Sequence, residues 1–500
     1  MMKVFLMYKD HDVDLQQKLP MNEQTLTQDL ELNTLFNTMA LGDKFLFEVA
    51  KKTVLSSLNE LETIQYRQQI LKDCLKNPDI VKEIFNIAVQ SIENEKKNYF
   101  GIFSHYPGAI LNRSIEVLQM FVSMLKKLKN ISNQHATKFE SEGFTAFYKM
   151  LDKELVEEYF ATVQEHLKEL NFRDGVYISA ELGKGNKGNN YILCKPQNKK
   201  SSWMERIFTK GPPVYSFSIG ERDESGARAL SELRDRGINL VANALAQSND
   251  HILSFFKTLR TELAFYMGCL NLSERLAQKG EPMCFPLPMA PEKRRHSFKG
   301  LYDVCLSLNV EQRVVGNSIN LDNKDLVMIT GANQGGKSTF LRSVGLAQLM
   351  MQCGMFVPAE SFCANIYDNL FTHYKREEDT TMNSGKLDEE LSRMSGIVDN
   401  ITLNSMLLFN ESFAATNERE GSEIARQITC ALLEKHIKVF FVTHLFLFAH
   451  GFYDKRIENT IFLRAERQNN GERTFKITIG EPLQTSYGED LYHKIFEPND

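Results

Sequence analysis

The stretch LVMITGANQGGKSTFLRSVGLAQLMMQCG, Leu326 to Gly354, decides how this chain is read. Leu326 to Thr330 are mostly apolar and β-prone, and they run directly into Gly331-Ala332-Asn333-Gln334-Gly335-Gly336-Lys337-Ser338. Apolar residues then recur near helical spacing at Leu341, Val344, Leu346, Leu349 and Met350, until Gly354 offers a C-cap. Strand, glycine-rich loop and helix are the context in which G-x-x-x-x-G-K-[ST] specifies a polyphosphate site. The glycines let backbone N–H groups approach phosphate oxygens, and the helix N-terminus adds a favourable dipole. Lys337 is expected to reach the β- and γ-phosphates, and Ser338 to offer its hydroxyl to Mg²⁺. The pattern predicts a nucleoside triphosphate site.

The rest of the composition sets the frame around that loop. With 500 residues the chain is too long for one ordinary core, and several domains are expected. Hydrophobic residues at 42% and charged residues at 25% are those of a soluble globular protein. A net charge of −5 does not advertise nucleic-acid binding, although a local basic surface can sit on an acidic whole. The eight cysteines form no C-x-x-C pair, which predicts reduced thiols and neither a zinc site nor a disulfide framework. No apolar run approaches the roughly 20 residues of a bilayer crossing, so no membrane contact and a cytoplasmic location are expected. Residues 1–28 read as an N-terminal arm, a short strand or a docking segment.

From Asp29 to Ala136 the pattern is helical, with helices predicted over Val81–Phe103 and Ala109–Leu128 and a Tyr106-Pro107-Gly108 turn between them. Phe144 to Leu170 reads as a further amphipathic helical block. Gly175–Leu182 and Asn189–Lys195 are β-like and predict a hairpin, and Val214–Ser218 a further strand. Lys195 to Lys210 interleaves Lys199, Lys200, Arg206 and Lys210 with Trp203 and Phe208. That mixture suits a phosphate-backbone contact, or equally a solvated loop whose aromatics pack on neighbouring helices. Ser225 to Lys279 is helical again, and the prolines at 282, 286, 288 and 291 mark a boundary. Strands leading into the nucleotide site are expected in Leu301–Asn320.

A phosphate-binding loop needs acidic chemistry at a neighbouring strand end. Ser405–Phe409 is a buried-strand pattern followed by Asn410-Glu411. Glu411 stands where a carboxylate would polarise the water attacking a γ-phosphate. Asn410 occupies the position at which an aspartate usually helps hold Mg²⁺, and its amide keeps the shape without the charge. A helix over Glu423–Glu434 precedes the apolar run Lys438–Thr443, which ends in His444. Alternating strand and helix implies a mostly parallel sheet with ligands beyond its strand ends, where Lys337, Glu411 and His444 all fall.

On these residues the chain resembles the MutS family of DNA mismatch repair ATPases. Thr330-Gly-Ala-Asn-Gln-Gly-Gly-Lys-Ser-Thr-Phe-Leu-Arg342 is similar to that family's TGPNMGGKST-x-[IL]-R, Gly354–Ala359 to its G-[SC]-[FY]-V-P-A, and Phe441–His444 to its F-x-T-H. Thr63–Gln68 resembles part of its helical core, and Thr485–Gly488 its S-[YF]-G. The resemblance implies a multidomain α and α/β architecture. A helical core and lever domain (29–280) would carry a β-containing clamp insertion (about 130–225), followed by an ABC-like P-loop ATPase domain (281–500). It implies ATP and Mg²⁺ as cofactors, with Gly331, Ala332, Asn333, Gln334, Gly335, Gly336, Lys337, Ser338 and Thr339 around the phosphates, Ser338 and Asn410 beside the metal, and Lys337, Glu411 and His444 in catalysis. It further implies a homodimer in which Ser384 and Gly385 reach the partner's nucleotide, and DNA held by backbone contacts.

The chain departs from the family at several points. Asn410-Glu-Ser-Phe-Ala-Ala-Thr416 replaces D-E-x-G-R-G-T, losing the aspartate and both glycines. No F-x-E wedge stands in a corresponding N-terminal domain, the chain starts near the helical core and no nuclease-like extension is read in it, which counts against mismatch reading. The reading is an ATP-switched dimeric DNA clamp. Its alternative is an ATP-dependent protein–protein assembly switch without DNA binding.

Overall fold

A computed structural model describes residues 2–97, 106–172, 175–195, 215–376, 385–468 and 473–483. The architecture is mixed, helical and α/β, and the chain divides into two units that are each discontinuous in sequence. One takes in Met1–Val4, Asp79–Phe139 and Thr145–Arg260; the other takes in Phe5–Pro78, Glu140–Phe144 and Thr261–Asp500. Among the described residues no helix is long and apolar enough to cross a membrane. All eight cysteines are free thiols.

The first unit is helical. Pro107 opens the helix Pro107–His135 after an extended Tyr106, where its fixed φ fits and its missing N–H costs nothing. Leu111, Ile115, Leu118, Phe121, Val122, Leu125 and Leu128 make its buried stripe. Phe121 stacks 5.8 Å from Phe256 of the long helix Glu224–Gln278, and Asn249 Nδ2 of that helix donates to Ser114 O at 2.9 Å. The block expected as one helix over Phe144–Leu170 is two, Glu142–Glu154 and Glu157–Glu169. Val156 between them is extended (φ −81, ψ 156), which re-phases the stripe so that Leu155 and Phe160 are both buried. The expected hairpin is present as β1 (Ile178–Leu182) and β2 (Gly188–Leu193), antiparallel with a register shift between Ser179 and Glu181. Tyr215 to Ser218 form no strand; Tyr215 and Phe217 are exposed and join no ladder. Residues 196–210, the greater part of the basic and aromatic stretch, lie outside the described residues, as does Val214.

The second unit holds the α/β part. A four-stranded sheet has the order β3 (Leu287–Met289), β7 (Ser361–Asn365), β4 (His296–Leu301), β5 (Asn317–Asn320). A six-stranded sheet has β6 (Leu326–Gly331), β8 (Asn369–Tyr374), β9 (Ser405–Asn410), β10 (Lys438–Val442), β11 (Thr460–Arg467) and β12 (Arg473–Ile479) in the order β12-β11-β6-β10-β9-β8. Only β12 runs antiparallel. Every residue of β6 and β10 is buried, which is why these segments read as unbroken apolar runs rather than alternating ones.

Both faces of the sheet are covered. Phe448, Phe452, Ala425 and Leu432, from helices Phe446–Asp454 and Glu418–Glu434, join Phe409 and Phe441 in one core. The rings of Phe409 and Phe441 stack at 4.5 Å. On the other face Gly345 brings the helix Lys337–Gln352 close to β9, since a Cβ there would stand 2.8 Å from Leu408 Cδ1. Leu301–Asn320, expected as strands, contains the short helix Val304–Asn309, because Asp303 caps it by accepting from Leu306 N at 2.9 Å.

The N-terminal arm docks without forming a strand. Tyr66 Oη donates to Phe5 O at 2.7 Å, Arg67 Nε to Met7 O at 3.0 Å, and Tyr266 to Leu6 O. Buried Glu262 accepts from the backbone N–H groups of Leu6 at 2.5 Å, Met7 at 3.3 Å and Val13 at 3.2 Å. Burial, outweighing these hydrogen bonds, pushes its carboxyl up to about 7.

Candidate functional site

The loop after β6 is shaped by its glycines. Gly331 (φ 107) and Gly336 (φ 86) lie in the left-handed region, where a Cβ would be strained. At Gly335 a Cβ would stand 2.9 Å from Ala332 O and 2.6 Å from Ala465 Cβ, so only glycine lets the loop pass β11. The helix Lys337–Gln352 starts from Gly336, so its first-turn N–H groups face the loop.

Lys337 is buried, and its ammonium donates to Gly331 O at 3.0 Å and Ala332 O at 2.9 Å. Burial lowers its pKa to about 8, with Glu411 acting against that shift and Arg473 adding to it. The lysine expected on the phosphates thus rests on its own loop. Arg473 of β12 donates through Nε to Asn333 O at 3.2 Å, and Phe475 (φ 58) stands against the Gly336 side of the loop.

The neighbouring strand ends bring the remaining groups. Ser338 Oγ donates to Asn410 Oδ1 at 3.0 Å. Glu411 is left-handed (φ 56), and its N–H donates to Val442 O at 2.9 Å, tying the loop after β9 to β10. His444 Nε2 lies 2.9 Å from Glu411 Oε1. This hydrogen bond is the main reason the Glu411 carboxyl is held below the usual range, despite burial; Lys337 adds to it. Lys337, Ser338, Asn410, Glu411 and His444 therefore meet at the ends of β6, β9 and β10.

Of these, Lys337, Ser338 and Glu411 line a cleft of ≈ 840 Å³, together with Asn333, Gln334, Gly335, Gly336 and Thr339 on one side and Tyr302, Asp303 and 311–315 on the other; Asn410 and His444 are not among its lining residues. Buried Glu281 braces that second wall, accepting from Val314 N at 3.1 Å and Ser307 Oγ at 3.3 Å. Gly331 and Ala332 form the base of the loop. Gly385 is the N-cap of the helix Lys386–Val398 and is not among the residues lining this cleft; Ser384 lies outside the described residues.

A magnesium ion fits the donor set only in part. Ser338 Oγ and Asn410 Oδ1 are hard oxygens, but both are neutral. Among the described residues no group of three or more His, Cys, Asp or Glu side chains could hold a metal alone. Such an ion would come with the nucleotide, taking most of its ligands from phosphate oxygens and water.

Sequence reading missed Arg473, Phe475 and Glu281, since only the pairing of β12 brings the first two to the loop and only the fold of 301–317 sets Glu281 behind the second wall. Arg342 was visible in the motif, and it forms ion pairs with buried Asp303 and with Glu31. The loop after β9 holds a further surprise. Phe413, where the resembling motif has its first glycine, keeps a left-handed backbone (φ 62) and is fully buried. Its N–H donates to Glu390 Oε2 at 2.9 Å, and its ring stacks 5.2 Å from His373.

The MutS2 N-terminal domain family matches residues 59–279, and MutS domain V matches residues 327–500. The DNA mismatch repair protein MutS of Thermotoga maritima is 35% identical over 182 residues, covering 36% of this chain and 23% of that protein. The human MutS protein homolog 4 is 27% identical over 313 residues, covering 59% of this chain and 32% of that protein. A Lactococcus lactis DNA mismatch repair protein MutS is 26% identical over 321 residues, covering 61% and 36%. The matches thus span between 23% and 36% of the length of these relatives.

Proposed function

This chain belongs to the MutS family, and on that premise we propose that it binds and hydrolyses ATP as a homodimeric, ATP-switched DNA clamp in mismatch repair or a related repair or recombination process. The observation that carries the reading is the convergence of Lys337 and Ser338 with the Glu411–His444 pair at adjacent strand ends. In this reading Lys337 leaves the Gly331 and Ala332 carbonyls for the β- and γ-phosphates, and the loop from Gly331 to Gly336 cradles them through its backbone N–H groups. Ser338 and Asn410 would hold Mg²⁺, which when bound would supply positive charge beside the γ-phosphate. Glu411, kept ionised by His444, accepts a proton from the attacking water, and His444 faces the γ-phosphate.

Residues 29–280 act as core and lever, with 130–225 as clamp, and 281–500 as the ATPase; Ser384 and Gly385 serve the partner's site. The protein works in the cytoplasm. DNA is held through its phosphates, which makes binding strongly salt-dependent. The test is the ATPase rate with and without duplex, branched and mismatched DNA at two salt concentrations. Stimulation that fades at higher salt is expected. A rate indifferent to every DNA at both salts would remove DNA from the reading and favour a protein-assembly switch.

A further inference from the structure

Beside the cleft, but outside it, four buried residues tie the helix Lys386–Val398 to the loop that carries Glu411. His373, Ser412 and Phe413 are fully buried, and Glu390 nearly so. Ser412 follows Glu411 directly; its Oγ lies 2.7 Å from His373 Nδ1 and 2.6 Å from His373 O. The other ring nitrogen, His373 Nε2, lies 3.0 Å from Glu390 O. The carboxylate of the same Glu390 accepts from Phe413 N at 2.9 Å. Glu390 thus grips the loop with its side chain and the ring with its main chain. His373 stands on β8, directly beside β9.

The protons in this cluster allow two arrangements. A carbonyl only accepts, so the contact to Glu390 O requires the proton on Nε2. A neutral ring then has a bare Nδ1, and Ser412 donates its one proton to it instead of to His373 O. In the other tautomer Nδ1–H donates to Ser412, whose hydroxyl turns to His373 O, and the bond to the helix is lost. Burial lowers the His373 pKa to about 4, so the ring is neutral near pH 7 and one of the two arrangements must be taken. How Ser412 is held and whether the helix is held are one choice. Glu411 and Phe413, on either side of Ser412, both have left-handed backbones that persist only where the surroundings over-determine them.

We infer that His373 and Glu390 are positioning residues for Glu411, coupling the set of its carboxylate to the seat of the helix Lys386–Val398. The inference rests on the ATPase reading above and deepens it.

The test compares Glu390→Ala, which deletes the acceptor for Phe413 N–H, with Glu390→Gln, which retains an oxygen there. Equilibrium ATP binding, steady-state hydrolysis of Mg–ATP and thermal melting are measured on the full chain. A kcat loss of about 10²-fold is expected for Glu390→Ala, because a misplacement of about 1 Å is enough for that. KM should stay within about threefold, and Glu390→Gln should regain most of the rate. In a Glu411→Gln background Glu390→Ala should cost nothing further, since both act through one carboxylate. An unchanged kcat, a loss confined to KM, or an equal further loss in that background overturns the inference. If Glu390→Ala does not fold, His373→Leu carries the same test: it removes both ring nitrogens and with them the contacts to Ser412 and Glu390, and an unchanged kcat in that variant is equally fatal. A wild type that binds ATP without hydrolysing it overturns the ATPase reading, and the inference with it. A hydrolysing wild type with unaffected variants overturns the inference alone.

Discussion

The loops after β6 and after β9 both contain left-handed backbone, and they secure it by opposite means. After β6 it falls on Gly331 (φ 107), Gln334 (φ 57) and Gly336 (φ 86), and two of these three lack the Cβ that makes this region costly. After β9 it falls on Glu411 (φ 56) and Phe413 (φ 62), with no glycine between Asn410 and Thr416. A left-handed L-residue costs roughly 1–2 kcal/mol, so this second loop must be fastened from outside. Val442 O takes the Glu411 N–H, Glu390 takes the Phe413 N–H, and the Phe413 ring is buried against His373 and Phe409. The first loop is shaped mainly by its own glycines, while the second is fastened by residues from other elements.

That contrast can be broken at either loop. The largest expected effect is on the glycine-rich side: Lys337→Ala should lower ATP affinity by about 10²-fold or more, since charge-assisted hydrogen bonds of about 1.5–3 kcal/mol each are lost. Retained tight binding, measured at equilibrium, would show that the loop after β6 is not the phosphate cradle. On the fastened side, Phe413→Gly should destabilise the protein by about 2–4 kcal/mol in urea unfolding, because lost burial outweighs relief of the left-handed strain. A stabilised variant would mean that the aromatic anchor contributes little.

Two smaller effects sharpen the comparison. Nucleotide-free Lys337 has its pKa lowered to about 8 by burial, and bound phosphates favour its charged form. ATP affinity should therefore stay level below that pH and fall about tenfold between pH 7 and pH 9, as the lysine loses its charge before binding. A flat profile in Lys337→Arg and a falling one in the wild type would assign the effect to this side chain. Least of all, Asn410→Asp should lower the Mg²⁺ concentration for half-maximal hydrolysis several-fold, by returning a negative charge beside Ser338. No change would mean that the ion is held by the nucleotide alone.

The same contrast explains what the sequence disclosed. β6, β9 and β10 were legible as apolar runs because strands buried on both faces must be apolar throughout. The loop after β6 was legible because a steric constraint leaves glycine as its record. The constraint after β9 is met by packing instead, so its record is spread over Glu390, His373 and Phe413, far apart in sequence and joined only by the order of β8 and β9. Arg473 escaped for a similar reason, since its place at Asn333 depends on the β11–β12 pairing. The break at Val156 was hidden because Leu155 and Phe160 continue an apolar pattern on either side of it.

Single-turnover hydrolysis of Mg–ATP by Glu411→Gln tests the central claim most directly. The account predicts that this variant binds ATP about as well as the wild type and cleaves it roughly 10²- to 10⁴-fold more slowly, the range for a lost general base. Cleavage at the wild-type rate would contradict it and move the catalytic role away from the loop after β9.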